Sequence, residues 1–497
     1  MNEHEMARHP RFHGDCEDLR QFDREALIAS ALRNHESAAV DQENWMRTSS
    51  AVLSLHDDKQ SVADVIALHE YRVNAVLLTT RLLVECGLCE CPLEGGLNPG
   101  RLDLTRLMAK AASLPAYGGW SDAIRWDAME PVLKIMPLGD IHAKAADFGE
   151  IVASFGRTQT DLRVSDAVEN YPRNLDERRV GKSSETALDA AFLAAWHEEF
   201  GASVDDVRRF IDAIERKGAA TNQAVLRVPG SELSSLKLGG ELLAPEPTAA
   251  IVEALLLKSR PRWRDIPPGY DEKDQQPWRF RRRLSVLRKP LIQIDDDPDP
   301  IILIAPGLLR TGLVYMLQGF LRGDFPAWQL KRLMRSWSGA ASNRRGKEFN
   351  AGVATRLGEL GWQVEPEVAV TKLLGKGFDR NYGDVDVLAW RPDAGRVLIV
   401  ECKDVQFRKT DGEIAEQLAD FRGEADASGR PDYLLRHLNR VDVISGHVPE
   451  VKRYLKLGGA TKLESYLVFK HPVPMKFALK RMEERVIVRL FSELALI

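Results

Sequence analysis

The stretch GDVDVLAW (383–390), followed after a short turn by RVLIVECKDV (396–405), decides the fold of the C-terminal part of the chain. Both segments are rich in valine and leucine over lengths typical of strands. The turn RPDAG between them predicts a hairpin. Because the run VLIV is apolar at every position, the second strand is predicted to be buried on both faces.

The segments around this hairpin complete an α/β pattern. GKEFNAGVATRLGELG (346–361) predicts an amphipathic helix that ends at Gly361, and WQVEPEVAV (362–370) alternates like a strand. Two helices and two late strands are predicted further on, at about 411–425, 432–456, 465–470 and 485–494. Residues 326–497 are therefore predicted to form a central mixed sheet flanked by helices.

The remaining two thirds of the chain is predicted to be mostly α-helical. Apolar residues recur at helical spacing in the first region, 1–155, where CPLEGGLNPG and LPAYGGW are read as turns. The second region, 156–325, is predicted to be mixed and to contain a polar linker, two helices and a hairpin, at 161–185, 185–200, 203–217 and 291–306. Ser203 and Asp206 form a capping-box pattern, and Gly218 is a plausible helix end.

Composition excludes several classes of protein. The chain has 497 residues, 44% of them hydrophobic, and five cysteines, which is an ordinary globular mixture without a disulfide framework. No run of 18 apolar residues and no leader-like N-terminus is present, so we expect a cytoplasmic protein with no membrane span. The net charge of −4 argues against a general nucleic-acid coat protein. Basic residues are nevertheless in excess in 326–497, which suits a phosphate-binding domain.

The sharpest chemical signal is Asp386 followed by Glu401 and Lys403. Residues two apart on a strand share a face, so Glu401 and Lys403 are predicted to lie together, and a hairpin can bring Asp386 beside them. Two buried carboxylates repel each other unless a cation lies between them, and hard oxygen ligands suit Mg²⁺ or Mn²⁺. The backbone carbonyl of Cys402 is placed to be a further ligand. Lys403 could orient or deprotonate a water. The alternative is a surface hairpin whose Glu401 and Lys403 are merely solvated.

This pattern resembles the PD-(D/E)xK nuclease superfamily, which has the restriction-endonuclease-like fold, over about residues 344–494. It is most similar to the archaeal Holliday-junction resolvase and Mrr-type branches. The resemblance rests on Gly383-Asp384-Val385-Asp386-Val387 and on Glu401-Cys402-Lys403. It implies that Asp386 and Glu401 are metal ligands, that Lys403 is the catalytic lysine, and that Gln417 lies near the site.

One position departs from the family pattern. Many members carry a metal-linked glutamate on the first helix, and Asn350 stands there in this chain. The resemblance therefore leaves three candidates for the missing contribution: Asn350 itself, Glu348 in a shifted register, or Asp384 turned inward by a bulge. The resemblance is compatible with either one or two bound metal ions.

Two further sets of residues have open interpretations. Basic residues in WRFRRRLSVLRK (278–289), and a second group leading into the 346–361 helix, could contact nucleic-acid backbone or could be solvated or ion-paired, for example with Asp295–Asp297. The second group comprises Lys331, Arg332, Arg335, Arg344, Arg345 and Lys347. Zinc binding by Cys86, Cys89 and Cys91, with help from His69 or His142, is disfavoured because no second Cys pair exists.

Taken together, these signals predict a Mg²⁺- or Mn²⁺-dependent DNA endonuclease, with RNA not excluded as substrate. A prokaryotic restriction or anti-phage defence effector is the favoured setting. The alternatives are a repair or recombination nuclease of the resolvase kind, and a catalytically inactive DNA-binding or scaffolding subunit. The N-terminal region would recognise the target, bind a partner protein or form a homodimer.

Overall fold

The structure, a computed structural model, describes residues 17–137, 141–144, 147–161, 188–426, 428–479 and 485–497. The chain divides into two compact units. The N-terminal unit comprises Met1–Ser121, Val132–His142 and Thr160–Gly339, and the C-terminal unit comprises Asp122–Pro131, Ala143–Gln159 and Ala340–Ile497. Beyond its first residue, the predicted linker 161–185 lies outside the described residues.

The helices are α1 Arg24–Leu53, α2 Lys59–Glu90, α3 Arg101–Arg125, α4 147–161, α5 Ala190–Phe200, α6 Val204–Thr221, α7 Gly230–Leu233, α8 Pro245–Leu255, α9 Glu272–Gln275, α10 Pro306–Leu321, α11 Arg332–Glu359, α12 Val370–Leu374, α13 Asp411–Ala419, α14 Tyr433–Ser445, α15 Val448–Leu455 and α16 Met475–Ala478. The strands are β1 Leu133–Ile135, β2 Ile141–Ala143, β3 Leu226–Pro229, β4 Lys237–Leu238, β5 Glu241–Leu242, β6 Leu256–Leu257, β7 Leu291–Gln293, β8 Ile301–Ile304, β9 Gln363–Ala369, β10 Asp384–Arg391, β11 Arg396–Lys403, β12 Lys462–Phe469 and β13 Ile487–Leu490. In the described residues no helix is long and apolar enough to cross a membrane.

The N-terminal unit is built around a four-stranded sheet in the order β3-β8-β7-β6. The predicted hairpin is confirmed, since β7 and β8 pair antiparallel with Leu291 opposite Ile304. Alternate residues of β8 enter two different hydrophobic clusters: Ile302 packs with aromatic residues of α5 and α6, and Leu303 packs with α1 and α2. The sheet is therefore buried on both faces, which explains its continuous apolar runs.

Two local predictions in this unit were wrong and one was confirmed. Ser203 and Asp206 form the predicted capping box at the start of α6. The helix does not end at Gly218 but continues to Thr221, because Asn222 adopts the left-handed conformation that ends it. LPAYGGW is not a turn but lies inside α3, where Gly118 leaves room for the ring of Trp278.

The C-terminal unit contains the predicted mixed sheet, in the order β13-β12-β11-β10-β9. Strands β9, β10 and β11 are antiparallel neighbours, whereas β11, β12 and β13 run parallel. Helix α11 packs on one face through Phe349, Val353 and Leu357, together with Val400 and Cys402 of β11. Helices α12, α14 and α15 cover the other face. The predicted α/β architecture, with helices on both sides of a central sheet, is confirmed.

Two features of this unit differ from the sequence prediction. The helix expected at 432–456 is two helices, α14 and α15, because the chain turns at Gly446 and His447 before Pro449 begins the second. The edge strand β9 carries Pro366 opposite Val387, followed by Glu367 in the left-handed region with φ +51°. A proline and a left-handed residue interrupt the regular ladder at this edge.

Candidate functional site

Asp386 lies where the sheet is irregular on both of its sides. The β10–β11 pairing runs from Arg391 and Arg396 to Val387 and Val400 and goes no further toward Asp386. Beyond that point the backbone N–H of Cys402 donates to Oδ2 of Asp386 at 2.8 Å. A side-chain carboxylate thus takes the place of a backbone acceptor. Toward β9, the position across from Asp386 is the left-handed residue Glu367.

Glu401 and Lys403 lie on the same face of β11, as predicted from their spacing. Nζ of Lys403 donates to Oε1 of Glu401 at 2.6 Å. Glu401 is only 7% exposed, so the alternative of a solvated surface hairpin is wrong. Cys402, between them, faces the opposite side and packs in the core under α11.

Two residues that the sequence analysis did not select complete the surroundings of Glu401. The guanidinium of Arg440, on α14, donates to Oε2 of Glu401 and also to the carbonyl of Tyr382. Nδ1 of His437 lies 3.7 Å from Oε2 of Glu401, and its Nε2 is 2.8 Å from Oγ of Ser465. His437 and Arg440 are three residues apart, which places both on one side of the helix. In the sequence, these two residues could have been found as a His-x-x-Arg pair on one side of an amphipathic helix.

The pKa values of the two carboxylates are shifted in opposite directions. Burial, followed by the charge of Glu401, raises the pKa of Asp386 to about 6. Burial alone would also raise the pKa of Glu401, but the charges of Lys403 and Arg440 outweigh it and hold that pKa at about 2. Burial lowers the pKa of His437 to about 4, so its imidazole is neutral at pH 7. Near neutral pH the Glu401 carboxylate is therefore fully ionised, whereas ionisation of Asp386 is unfavourable.

Gln417 and Asp384 form no hydrogen bond or ion pair with Asp386 or Glu401 among the residues that the structure describes. Gln417 is buried on α13, and its Nε2 donates to the backbone carbonyl of Gln406 at 2.9 Å. It therefore holds the loop that follows Lys403. Asp384 is exposed at the start of β10, opposite Ala369. It is not turned inward.

The structure does not bring the two first-helix candidates to the carboxylates. Glu348 is exposed and Asn350 is half-buried on α11. That helix packs through Phe349 and Val353 on the Cys402 face of the sheet. Glu401 points to the other face, because side chains alternate along a strand. Neither candidate forms a hydrogen bond or ion pair with Asp386 or Glu401 in the described part of the chain.

Part of the second basic group is engaged in protein contacts. Nζ of Lys331 donates to the carbonyls of Glu198 and Glu199, and Arg332 lies 3.9 Å from the carboxylate of Glu198. Arg335 donates to two backbone carbonyls at 2.9 Å. These residues belong to the N-terminal unit. Arg344 and Lys347 are exposed on α11, Arg345 is half-buried beside them, and all three belong to the C-terminal unit.

The first basic cluster, 278–289, is largely buried rather than solvated. Its ion-pair partners are not the predicted Asp295–Asp297: Arg282 pairs with Glu85 at 2.5 Å and Arg283 with Asp274 at 2.6 Å. Most of the cluster therefore belongs to the core of the N-terminal unit. A sequence window cannot distinguish a buried arginine from an exposed one when both stand in a charged stretch.

The cysteines of ECGLCEC lie at the buried end of α2 and just after it. Burial raises the pKa of Cys91 to about 12 and also raises that of Cys89, which keeps both thiols protonated. Within the described residues, no group of three or more His, Cys, Asp and Glu side chains could hold a metal. Any cation at the candidate site would therefore rely on two carboxylates, the Cys402 carbonyl and water.

Fold and site together define a two-unit α/β protein with a buried glutamate, a half-buried aspartate and a lysine at an irregular point of a mixed sheet. A family model described as anti-phage protein Upx-like matches residues 12–489. The chain belongs to this anti-phage family, in agreement with the predicted defence setting. Comparisons with curated proteins and with solved structures found no match.

Proposed function

We propose that this anti-phage protein is a metal-dependent nuclease of the PD-(D/E)xK kind, with its active site at Asp386, Glu401 and Lys403. The observation that carries the proposal is the convergence of these three side chains where the β10–β11 ladder stops. A buried carboxylate with a pKa of about 6 is costly in a purely structural role, and perturbed pKa values cluster at functional sites.

The donor set suits a divalent cation. Asp386, Glu401 and the Cys402 carbonyl are hard oxygen ligands, the kind that Mg²⁺ and Mn²⁺ prefer. A cation between the carboxylates would offset both the burial and the repulsion by Glu401 that raise the pKa of Asp386. When bound, such a cation polarises a phosphoryl oxygen and lowers the pKa of a bound water.

The protein's own residues have separate roles in this proposal. Lys403 offers an ammonium group beside Glu401, where it can orient the attacking water or neutralise charge on the phosphate. Arg440 and His437 position Glu401 from α14. Gln417 positions the loop after β11. The exposed Arg344 and Lys347 would contact the nucleic-acid backbone.

A second candidate, a binding subunit that does not cut, is favoured by one specific observation. Both carboxylate oxygens of Glu401 already have cationic partners, Lys403 and Arg440. A fully paired glutamate is also what a purely structural ion-pair network would show. In that case the domain would bind nucleic acid or another protein, and adding divalent cations would not produce cleavage.

A cleavage assay separates these candidates. The full chain is incubated with plasmid, linear, branched and single-stranded DNA and with RNA, in Mg²⁺, Mn²⁺ or EDTA. We expect cation-dependent cleavage that Lys403→Ala abolishes and that Lys462→Ala retains, since Lys462 is an exposed lysine at the far end of the neighbouring strand. The same variants are compared for protection of cells against phage. Protection that survives Lys403→Ala, without any cation-dependent cleavage, would favour the binding subunit.

A further inference from the structure

The N-terminal unit contains a cavity of about 320 Å³ whose lining is strongly basic and partly aromatic. Four cationic side chains line it, those of Arg283, Arg288, Lys289 and Lys331, against one carboxylate, that of Glu199. The rings of Tyr270 and Trp328 line the same cavity. Such a combination of positive charge and planar apolar surface is unusual for a filled core and typical of a binding pocket.

Arg288 is the decisive residue, because its guanidinium is buried without a direct ion pair, and the carboxylates of Glu199 and Asp274 act on it only from a distance. The residue is 9% exposed, and its Nη1 has no hydrogen-bond partner. It lies over the rings of Phe325 and Phe320, at 4.4 and 5.4 Å from their centroids. In the described part of the chain its side chain forms no hydrogen bond and no ion pair. A buried charge without a hydrogen-bonded counter-ion is costly, and an anion from outside the chain would supply that partner.

The neighbouring cations are held in place by the protein. Nζ of Lys289 is 3.3 Å from the carbonyl of Ala254, and burial lowers the pKa of this lysine to about 8. Nζ of Lys331 is anchored on the carbonyls of Glu198 and Glu199 at 2.9 and 3.0 Å. Anchored cations around an enclosed space are pre-organised for an anion, since little side-chain entropy is lost when it binds.

Arg283 links the charged part of the cavity to its aromatic part. It pairs with Asp274, and its guanidinium lies 4.7 Å from the Tyr270 ring centroid and 5.4 Å from that of Trp328. Trp328 is 43% exposed, so part of its indole remains available for stacking. A planar ring attached to an anionic group could therefore use both parts of the cavity at once.

We propose that this pocket binds a nucleoside phosphate, with the phosphate at Arg288, Lys289 and Lys331 and the base against Trp328. The proposal is independent of the nuclease assignment, because it concerns residues of the N-terminal unit only. The same chemistry occurs in a free nucleotide and at the 5′-phosphate end of a nucleic-acid strand. The binding test distinguishes these two sources.

Binding is tested by calorimetry on the full chain with ATP, AMP, adenosine, inorganic phosphate, and an oligonucleotide with or without a 5′-phosphate. We expect a nucleotide to bind more tightly than phosphate or adenosine. Arg288→Met should weaken that binding roughly 10- to 100-fold, as expected for loss of a charged hydrogen bond. Arg332→Gln is the matched control, because Arg332 follows Lys331 directly but its side chain is 81% exposed. Tighter binding of the 5′-phosphorylated oligonucleotide would assign the second source.

A second readout distinguishes a binding role from a structural one. Removing an unpaired buried charge should raise the melting temperature of the ligand-free protein. If Arg288→Met does not fold, Lys289→Met is used instead and should weaken nucleotide binding in the same way. The proposal is overturned if no nucleoside phosphate binds, if phosphate or adenosine alone binds equally well, or if these variants bind like the wild type.

Discussion

The charge on Asp386 should make the cation-free protein less stable at neutral pH, and Asp386→Asn tests this directly. The folded-state pKa of about 6 lies above the ordinary value of 3.8. The folded protein therefore holds the proton more tightly than the unfolded chain. The contribution of Asp386 to stability should fall as pH rises from about 4 to 6 and stay reduced above that. The lowered pKa of His437 acts in the opposite direction over this range, so the effect is read from the difference between the wild type and the variant. A shift of about two pH units corresponds to about 3 kcal/mol as an upper bound.

The asparagine variant removes the charge but retains an oxygen that can accept from the Cys402 N–H. We expect Asp386→Asn to stabilise the cation-free protein at pH 8 by about 1–3 kcal/mol, because water entering the site reduces the full value. For a unit of this size, that is a rise of roughly 2–12 °C in melting temperature. Mg²⁺ should stabilise the wild type and have little effect on the variant.

Thermal melting of the full chain at pH 5 and pH 8, in EDTA and in Mg²⁺, measures all of these effects. Asp384→Asn is the matched control, because it changes an exposed aspartate two residues earlier on the same strand. It should leave both the melting temperature and the Mg²⁺ response close to wild type. The reasoning is refuted if Asp386→Asn melts lower than wild type at pH 8 in EDTA, or if Mg²⁺ stabilises it as much as wild type.

Three further predictions concern the N-terminal unit and are checked by unfolding of the full chain. Arg282→Met should cost about 1–3 kcal/mol because the buried Glu85 loses its direct ion-pair partner and keeps only the Val286 N–H and the charge of Arg81; an unchanged stability would contradict this. Gly118→Ala should destabilise the unit, because a Cβ would lie 2.1 Å from the Trp278 ring, and wild-type melting would show that the ring moves freely. Ser203→Ala should cost about 1 kcal/mol by loss of the helix cap, whereas an unchanged stability would mean that the cap contributes nothing.

The β10–β11 hairpin could be predicted because both strands are rich in apolar residues and the turn between them is short. Strand periodicity alone predicted that Glu401 and Lys403 lie on the same face of β11. The contacts of Glu401 with Arg440 and His437 could not be predicted in this way, because they depend on how α14 crosses the sheet. Glycine and proline in LPAYGGW suggested a turn, but tertiary packing against Trp278 overrode that local preference.

The N-terminal unit was harder to interpret because its arginines are buried. Hydropathy assigns a run such as RFRRR to solvent, yet Arg282 is buried beside Glu85, a partner far away in sequence. The same limitation hid Arg288, whose role depends on a cavity that no sequence window contains. The sequence pattern therefore could not predict ion pairs between residues that are far apart in the chain.

The proline and left-handed residue in β9 have a consequence for self-association of the chain through its C-terminal sheet. An open sheet edge offers unpaired backbone groups on which a second chain can assemble. Pro366 has no N–H to donate, and the exposed, left-handed Glu367 interrupts the ladder and adds a charge at this edge, whereas Glu365 is paired with Lys372. These features of β9 therefore work against the pairing of this sheet edge with a second copy of the chain.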